Sequence, residues 1–158
     1  MVLEQVLWSL QDNGLSHFLD EGRALTMVVQ TFHILGFTLL LAVVLALTLR
    51  VQGWALTALP VERLSALLSK PYRWSLGVAL AAGVLLFLPR AVAYGVKEVF
   101  LWKLAILAVA IGAHALVQRQ ARVVPVGAAA GAPLRSLALV SLFLWFTSAA
   151  AGRAIGFV

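Results

Sequence analysis

Few residues in this chain could do chemistry, and their spacing groups them. Thr26, Gln30, His33 and Phe37 follow one another at intervals of four, three and four, so they fall within about 60 degrees of one another on one helical face. Lys103, Leu107, Ala110 and His114 repeat that spacing, as do Ser141, Trp145, Ser148 and Gly152. A neutral imidazole can relay a proton, accept a hydrogen bond or ligate a metal, which makes His33 and His114 the candidate metal ligands. Gln30, His33, Arg90, Tyr94, Lys103 and Arg153 form a second candidate set. They combine hydrogen-bond donors with positive charge, a chemistry suited to a quinone carbonyl, a haem propionate or an anionic lipid head group.

The elements that must position these residues follow from composition. Of the 158 residues, 63% are hydrophobic and 11% charged, against about 45–50% and about 25% in soluble domains, so the chain belongs in a membrane. Apolar runs flanked by Arg or Lys place spans at about 25–50, 72–95, 99–119 and 135–156, each close to the roughly 20 residues a bilayer helix needs. Nothing alternates in polarity as barrel strands do. The expected fold is all-α: a four-helix transmembrane bundle over 23–158, preceded over 1–22 by an amphipathic interfacial helix that carries Val2, Leu3, Val6, Leu7 and Leu10 on one side and breaks at Asn13-Gly14. Ala79 with Gly83, and Ser148 with Gly152, are small residues four apart that mark close helix packing, and Pro89 kinks or ends the second span.

Charge sets the expected orientation. Arg50, Arg63, Lys70, Arg73, Arg119, Arg122 and Arg135 fall in the first and third loops, whereas Arg23, Arg90, Lys97, Lys103 and Arg153 fall on the other side with five of the six acids. The basic excess predicts cytoplasmic odd-numbered loops, and hence a bacterial inner-membrane protein with both termini in the periplasm. The basic residues bracket apolar runs and form no patch with interleaved aromatics, so nucleic acid is not an expected partner. Membrane lipids and other membrane or periplasmic subunits are.

Depth then separates the histidines. At 1.5 Å per residue, His33 lies about 14 Å along its helix from Ala24, and His114 about 17 Å beyond Lys103. Helices entering from the outer side would put the two rings in opposite leaflets, too far apart for one haem, whose axial nitrogens stand only about 4 Å from each other. Plain readings stand beside these: Lys103 and Arg153 as snorkelling interfacial cations, His33 as an interhelical hydrogen-bonding residue against Gln30 or Ser148, His114 as an interfacial residue near Arg119, and His17 as a solvent-facing one. The zero cysteines exclude disulfides and thiolate metal sites. No phosphate loop, nucleophile elbow or intramembrane carboxylate pair points to an enzyme acting on its own.

Four segments carry a family resemblance: His33-Ile-Leu-Gly36, Leu49-Arg50-Val-Gln-Gly53, Gly83-Val-Leu-Leu-Phe87 and Phe100-Leu-Trp-Lys103. In these the chain resembles a family of small bacterial four-span inner-membrane proteins without an assigned activity, itself loosely similar to copper-resistance D-type membrane proteins. The resemblance implies the four-span architecture and singles out His33 and Lys103. Thr48 stands where the family pattern has an acid, and His114 where it has an asparagine. Three readings of function remain open at this stage. One is an accessory or anchor subunit of a redox assembly that touches quinone or haem b at the outer leaflet. Another is a structural or assembly subunit without chemistry, and the third a small permease or metal-handling protein.

Overall fold

The computed structural model describes residues 2–154, the last by its backbone alone. Two short helices, α1 (Val2–Gln11) and α2 (Gly14–Glu21), precede four long ones: α3 (Arg23–Gln52), α4 (Val61–Phe87), α6 (Glu98–Ala121) and α7 (Ala132–Ala154). A 3-10 turn (Leu88–Arg90) and the short α5 (Ala91–Gly95) join α4 to α6. Four of these segments are long and apolar enough to cross a bilayer: Arg23–Gln52, Val61–Gly95, Glu98–Ala121 and Ala132–Arg153. The protein is an all-α, multi-pass membrane protein.

The distribution of side chains suits lipid as the solvent. Phe143, Leu35, Val109 and Val84 are among the exposed residues, while Ser65, Ser75, Ser141, Ser148, Thr48 and His114 are buried. A water-soluble bundle would reverse that pattern. In hydrocarbon, polar groups turn inward, where other helices can satisfy them.

The long helices form two antiparallel hairpins, α3 with α4 and α6 with α7, joined mainly where α3 packs on α7; α4 and α6 touch only sparsely. The α3–α4 hairpin closes tightly because Gly36 lies under α4. A Cβ there would stand 3.0 Å from Ala79 N and 3.2 Å from Ser75 O, so only glycine lets the backbones approach this far. Two core layers fill the bundle. Leu47, Val51, Val61, Val117, Ala121, Leu134 and Ala138 pack at the loop end, and Leu40, Val43, Val44, Tyr72, Ala110 and Trp145 in the middle.

Caps and polar clamps finish the loop end. Gly53 takes a left-handed conformation (φ 77°), and Trp54 N–H reaches back to Leu49 O at 3.0 Å, the Schellman pattern that satisfies the last carbonyls of α3. Gln52 and Arg135 then bind each other reciprocally: Gln52 Nε2 donates to Arg135 O at 2.7 Å, and Arg135 Nη2 donates to Gln52 O at 2.9 Å. Arg50 donates its Nε–H to Leu59 O. Buried Thr48 turns the other way and donates to Ala138 O at 3.4 Å.

Three expectations from sequence need adjustment. The second span begins as helix at Val61, not near 72, so Arg63, Lys70 and Arg73 lie on a helix and Pro71 lies inside it. The N-terminal segment holds two helices. Asn13, read as a breaker, also caps the second, its Oδ1 accepting Ser16 N–H at 3.0 Å. Pro89 does interrupt the second span, as the 3-10 turn shows. The fourth helix is described through Ala154, and the expected continuation to 156 lies outside the described residues.

Candidate functional site

Two polar neighbourhoods occupy the bundle. The first lies toward the end that carries both termini, and is built around His33. On the α3 face opposite Ala79 and Gly83, the ring Nδ1 is 2.8 Å from Ala79 O. A carbonyl can only accept, so Nδ1 carries the proton and the Nε2 lone pair of the neutral ring stays available. Gly83 makes room for the ring: a Cβ there would stand 3.1 Å from His33 Cε1. The small pair Ala79 and Gly83 therefore seats the imidazole, with one residue supplying an acceptor and the other the space.

Lys103, on the first turns of α6, folds across Gly152 of α7, with Nζ 3.3 Å from where a Cβ on that glycine would stand. Its ammonium is within electrostatic range of His33. Both side chains are half-buried. Of the other residues grouped with them by sequence, Gln30 and Arg90 are exposed, and Tyr94 receives the Lys97 ammonium 5.6 Å from its ring centroid. Arg153 is exposed next to Gly152. The whole set thus shares one end of the bundle, where Lys103 is within electrostatic reach of His33. Gln30, expected on the bundle-facing stripe, turns outward because α3 rotates Val29 and His33 toward α4.

The second neighbourhood surrounds His114. Only 1% exposed, it is a core residue and not the interfacial one suggested by its nearness to Arg119. Its ring lies tilted on Tyr72, with centroids 4.3 Å apart and planes at 31°. Gln118 Nε2, which can only donate, approaches His114 Nε2 at 3.3 Å, and His114 Nδ1 then faces Ser141 Oγ at 3.5 Å. Ser65 Oγ continues the line toward Gln118 O at 3.5 Å. These contacts are long for hydrogen bonds. Trp145 closes the layer edge-on, 6.4 Å from Tyr72 and 5.9 Å from Phe37 by ring centroids.

The two histidines occupy separate layers. Their α4 neighbours, Ala79 and Tyr72, are seven residues apart, a rise of about 10 Å, so no single metal or haem can be shared by both rings. Among the described residues, no three of His, Asp and Glu converge as metal ligands. Sequence reasoning missed Tyr72, Gln118 and Ser65. Gln118 was detectable in principle, four residues beyond His114 on the same face; Tyr72 stood at the very start of the expected second span, between Lys70 and Arg73, where aromatic residues are ordinarily interfacial.

At the terminal end of the bundle, α1 and α2 pack against the 3-10 turn and α5. Leu7 is buried over Gly95, where a Cβ would come within 2.5 Å of its methyl group, and Gln11 Oε1 accepts Val92 N–H at 3.0 Å. His17 is outward-facing, paired with Asp12 at 2.9 Å. The two helices leave Trp8, Leu15 and Phe18 exposed beside a cleft lined by Gln11, Asp12, His17, Asp20 and Pro89. Comparison of the chain with protein-family models, with curated proteins and with solved structures finds no match.

Proposed function

We propose that the protein is an accessory or anchor subunit of a redox assembly in the bacterial inner membrane, and that it contacts quinone through His33 and Lys103. The observation that carries this reading is the fixed tautomer of His33. With Nδ1–H committed to Ala79 O, Nε2 can accept the hydroxyl proton of a quinol, while the nearby ammonium can donate to a quinone carbonyl. One oxygen alternates between these two states during the redox cycle, and the pair offers a partner to each. Half-buried side chains in a membrane-spanning bundle suit a ligand that arrives from the bilayer.

Haem b fits less well. A histidine whose second nitrogen donates to a backbone carbonyl is a good axial ligand, but His114 is too distant to supply the opposite nitrogen. The α1–α2 cap supports the anchor part of the reading: with Trp8 58% and Phe18 64% exposed, it presents an aromatic surface at the end that the charge distribution assigns to the periplasm. The resemblance to small four-span inner-membrane proteins points to the same compartment and the same two residues.

The test is purification in mild detergent followed by solvent extraction, quinone quantification and identification of co-purifying proteins. Wild-type protein should carry quinone and bring down a redox partner. Lys103→Gln and His33→Gln, which stay polar, should lower bound quinone at least tenfold while leaving the melting temperature nearly unchanged. Protein that binds neither quinone nor a redox partner would refute the proposal.

A further inference from the structure

The middle of the bundle contains polar atoms that the chain does not satisfy. Hydroxyls in membrane helices ordinarily fold back on their own turn. Thr31 donates to Met27 O at 2.8 Å, Ser69 to Ala66 O at 2.7 Å, Ser75 to Tyr72 O at 3.0 Å and Thr147 to Phe143 O at 2.9 Å. Ser148 does not. Its Oγ, the Tyr72 hydroxyl and the Trp145 indole N–H have no hydrogen-bond partner among the described residues, although the three residues are only 1%, 5% and 0% exposed. They are neighbours: Tyr72 and Trp145 meet edge to face, and Ser148 lies one turn beyond Trp145 on α7.

Lipid cannot supply the missing bonds. Each unmet buried group costs about 1–3 kcal/mol, so three in one layer would consume a large part of a typical folding free energy of about 5–15 kcal/mol. The missing partner must accept from an indole that can only donate, and must both give to and take from hydroxyls. That requirement rules out a metal cation and favours a small amphoteric molecule, namely water, which needs two to four polar partners in such a site.

The same layer lies on a longer polar line. On α7, Ser141, Trp145, Ser148 and Gly152 succeed one another by about one turn, and Lys103 covers Gly152. Toward the loop end the line passes to His114, Gln118 and Ser65. From Lys103 to Gln118 the rise along α6 is about 22 Å, in steps of one turn or about 5 Å. One water joins polar atoms about 5.5 Å apart, twice an ordinary hydrogen-bond length; between Ser141 and Ser148, about 10 Å apart along α7, the Tyr72 hydroxyl and more than one water complete the line.

We propose that Tyr72, Trp145 and Ser148 bind water, and that this water joins the His33–Lys103 end to the His114–Gln118 end as a proton-conducting file. The inference rests on the core alone and does not need the quinone reading. Each hydroxyl or water in the file takes a proton on one side and releases one on the other. At His114 the step uses a water of the file at Nε2, because the Gln118 amide beside it only donates and passes no proton: Nε2 takes a proton from that water as Nδ1 releases one toward Ser141 Oγ, and nothing is oxidised or reduced. Trp145 takes no part in the relay; its N–H holds a water in place.

Two measurements on the full chain test the proposal. In nanodiscs, the Trp145 indole proton, assigned by its loss in Trp145→Phe, should show a nuclear Overhauser contact to water that Ser148→Ala abolishes. In quinone-free vesicles loaded with potassium, valinomycin should drive a proton flux reported by an internal pH dye. That flux should exceed the flux of protein-free vesicles, fall at least tenfold in Ser148→Ala and Tyr72→Phe, and persist in Ser69→Ala, whose hydroxyl is already bonded within its own turn. An indole proton without water contact overturns the site, and wild-type vesicles no leakier than empty ones overturn the conduction.

Discussion

Replacing Gly36 by alanine tests whether the α3–α4 approach is what builds the His33 neighbourhood. The added methyl would lie 3.0 Å from Ala79 N, 3.1 Å from Val78 Cγ1 and 3.2 Å from Ser75 O, whereas carbon contacts are comfortable at about 3.5–4.0 Å. The Val78 methyl can rotate away, but two of the three obstacles are backbone atoms of α4. Relief therefore requires the helices to separate by a few tenths of an ångström over a whole turn. Overpacking of this kind costs about 1–3 kcal/mol. Alanine returns roughly 0.5–1 kcal/mol by stiffening the helix, leaving a net loss centred on about 1 kcal/mol and no larger than about 2.5 kcal/mol.

Gly77 and Gly112 are internal controls, because a Cβ at either meets nothing within 4 Å. Alanine there should keep the helix-propensity gain, so the three variants should divide into one loss and two gains. At roughly 2–4 °C per kcal/mol for a chain of this size, Gly36→Ala should melt below wild type in detergent by about 2–4 °C, and by no more than about 10 °C, with the controls at or slightly above it. A Gly36→Ala protein as stable as Gly77→Ala would refute the close approach, and with it the seating of His33 against Ala79 and Gly83.

Two further perturbations probe the ends of the bundle. Gly95→Ala should dislodge α1, since its methyl would come within 2.5 Å of the buried Leu7 side chain; limited proteolysis should then cut near residues 11–14 faster in the variant than in wild type, while the bundle stays protected. Gln52→Ala removes both the Oε1 and Nε2 contacts to Arg135 and leaves a carbonyl of α7 without its donor, so unfolding in mixed micelles should show a loss of about 1–3 kcal/mol, with an unchanged value counting against the clamp.

The four spans were legible because lipid imposes one strong rule, an uninterrupted apolar run of fixed length. The same rule misplaced the start of α4. Lys70, Pro71 and Arg73 break the apolar pattern, but a helix continues through them because its backbone bonds, apart from the one proline removes, need no apolar surroundings. That extra stretch matters to the site, since it supplies Ser65, which reaches Gln118 O, and sets Tyr72 within a continuous helix against His114. Helical spacing put Trp145 and Ser148 on one face of one helix, and both are buried there. It failed for His33, whose partner is a backbone carbonyl. Every residue has one of those, so side-chain pattern alone cannot select it, although the small pair Ala79 and Gly83 marked where an approach would occur.

Scarcity of charge explains why both polar neighbourhoods take the form they do. With the only carboxylates of the four long helices confined to their first turns, Glu62 and Glu98, an imidazole or cation deeper in the bundle must be stabilised by neutral groups. His33 takes a carbonyl, His114 takes an amide and a hydroxyl, and Lys103 extends over a glycine toward the end of the bundle. Such an arrangement binds ions poorly, because neutral groups repay little of the desolvation cost of a charge. It suits neutral ligands that exchange hydrogen bonds and protons, and quinone near His33 and water near Trp145 are both of that kind. Adding one acid should therefore change behaviour more than removing any single base: Ser148→Asp would place a carboxylate one turn from Lys103, and the resulting ion pair should arrest exchange at that step of the file, even though the site gains polarity.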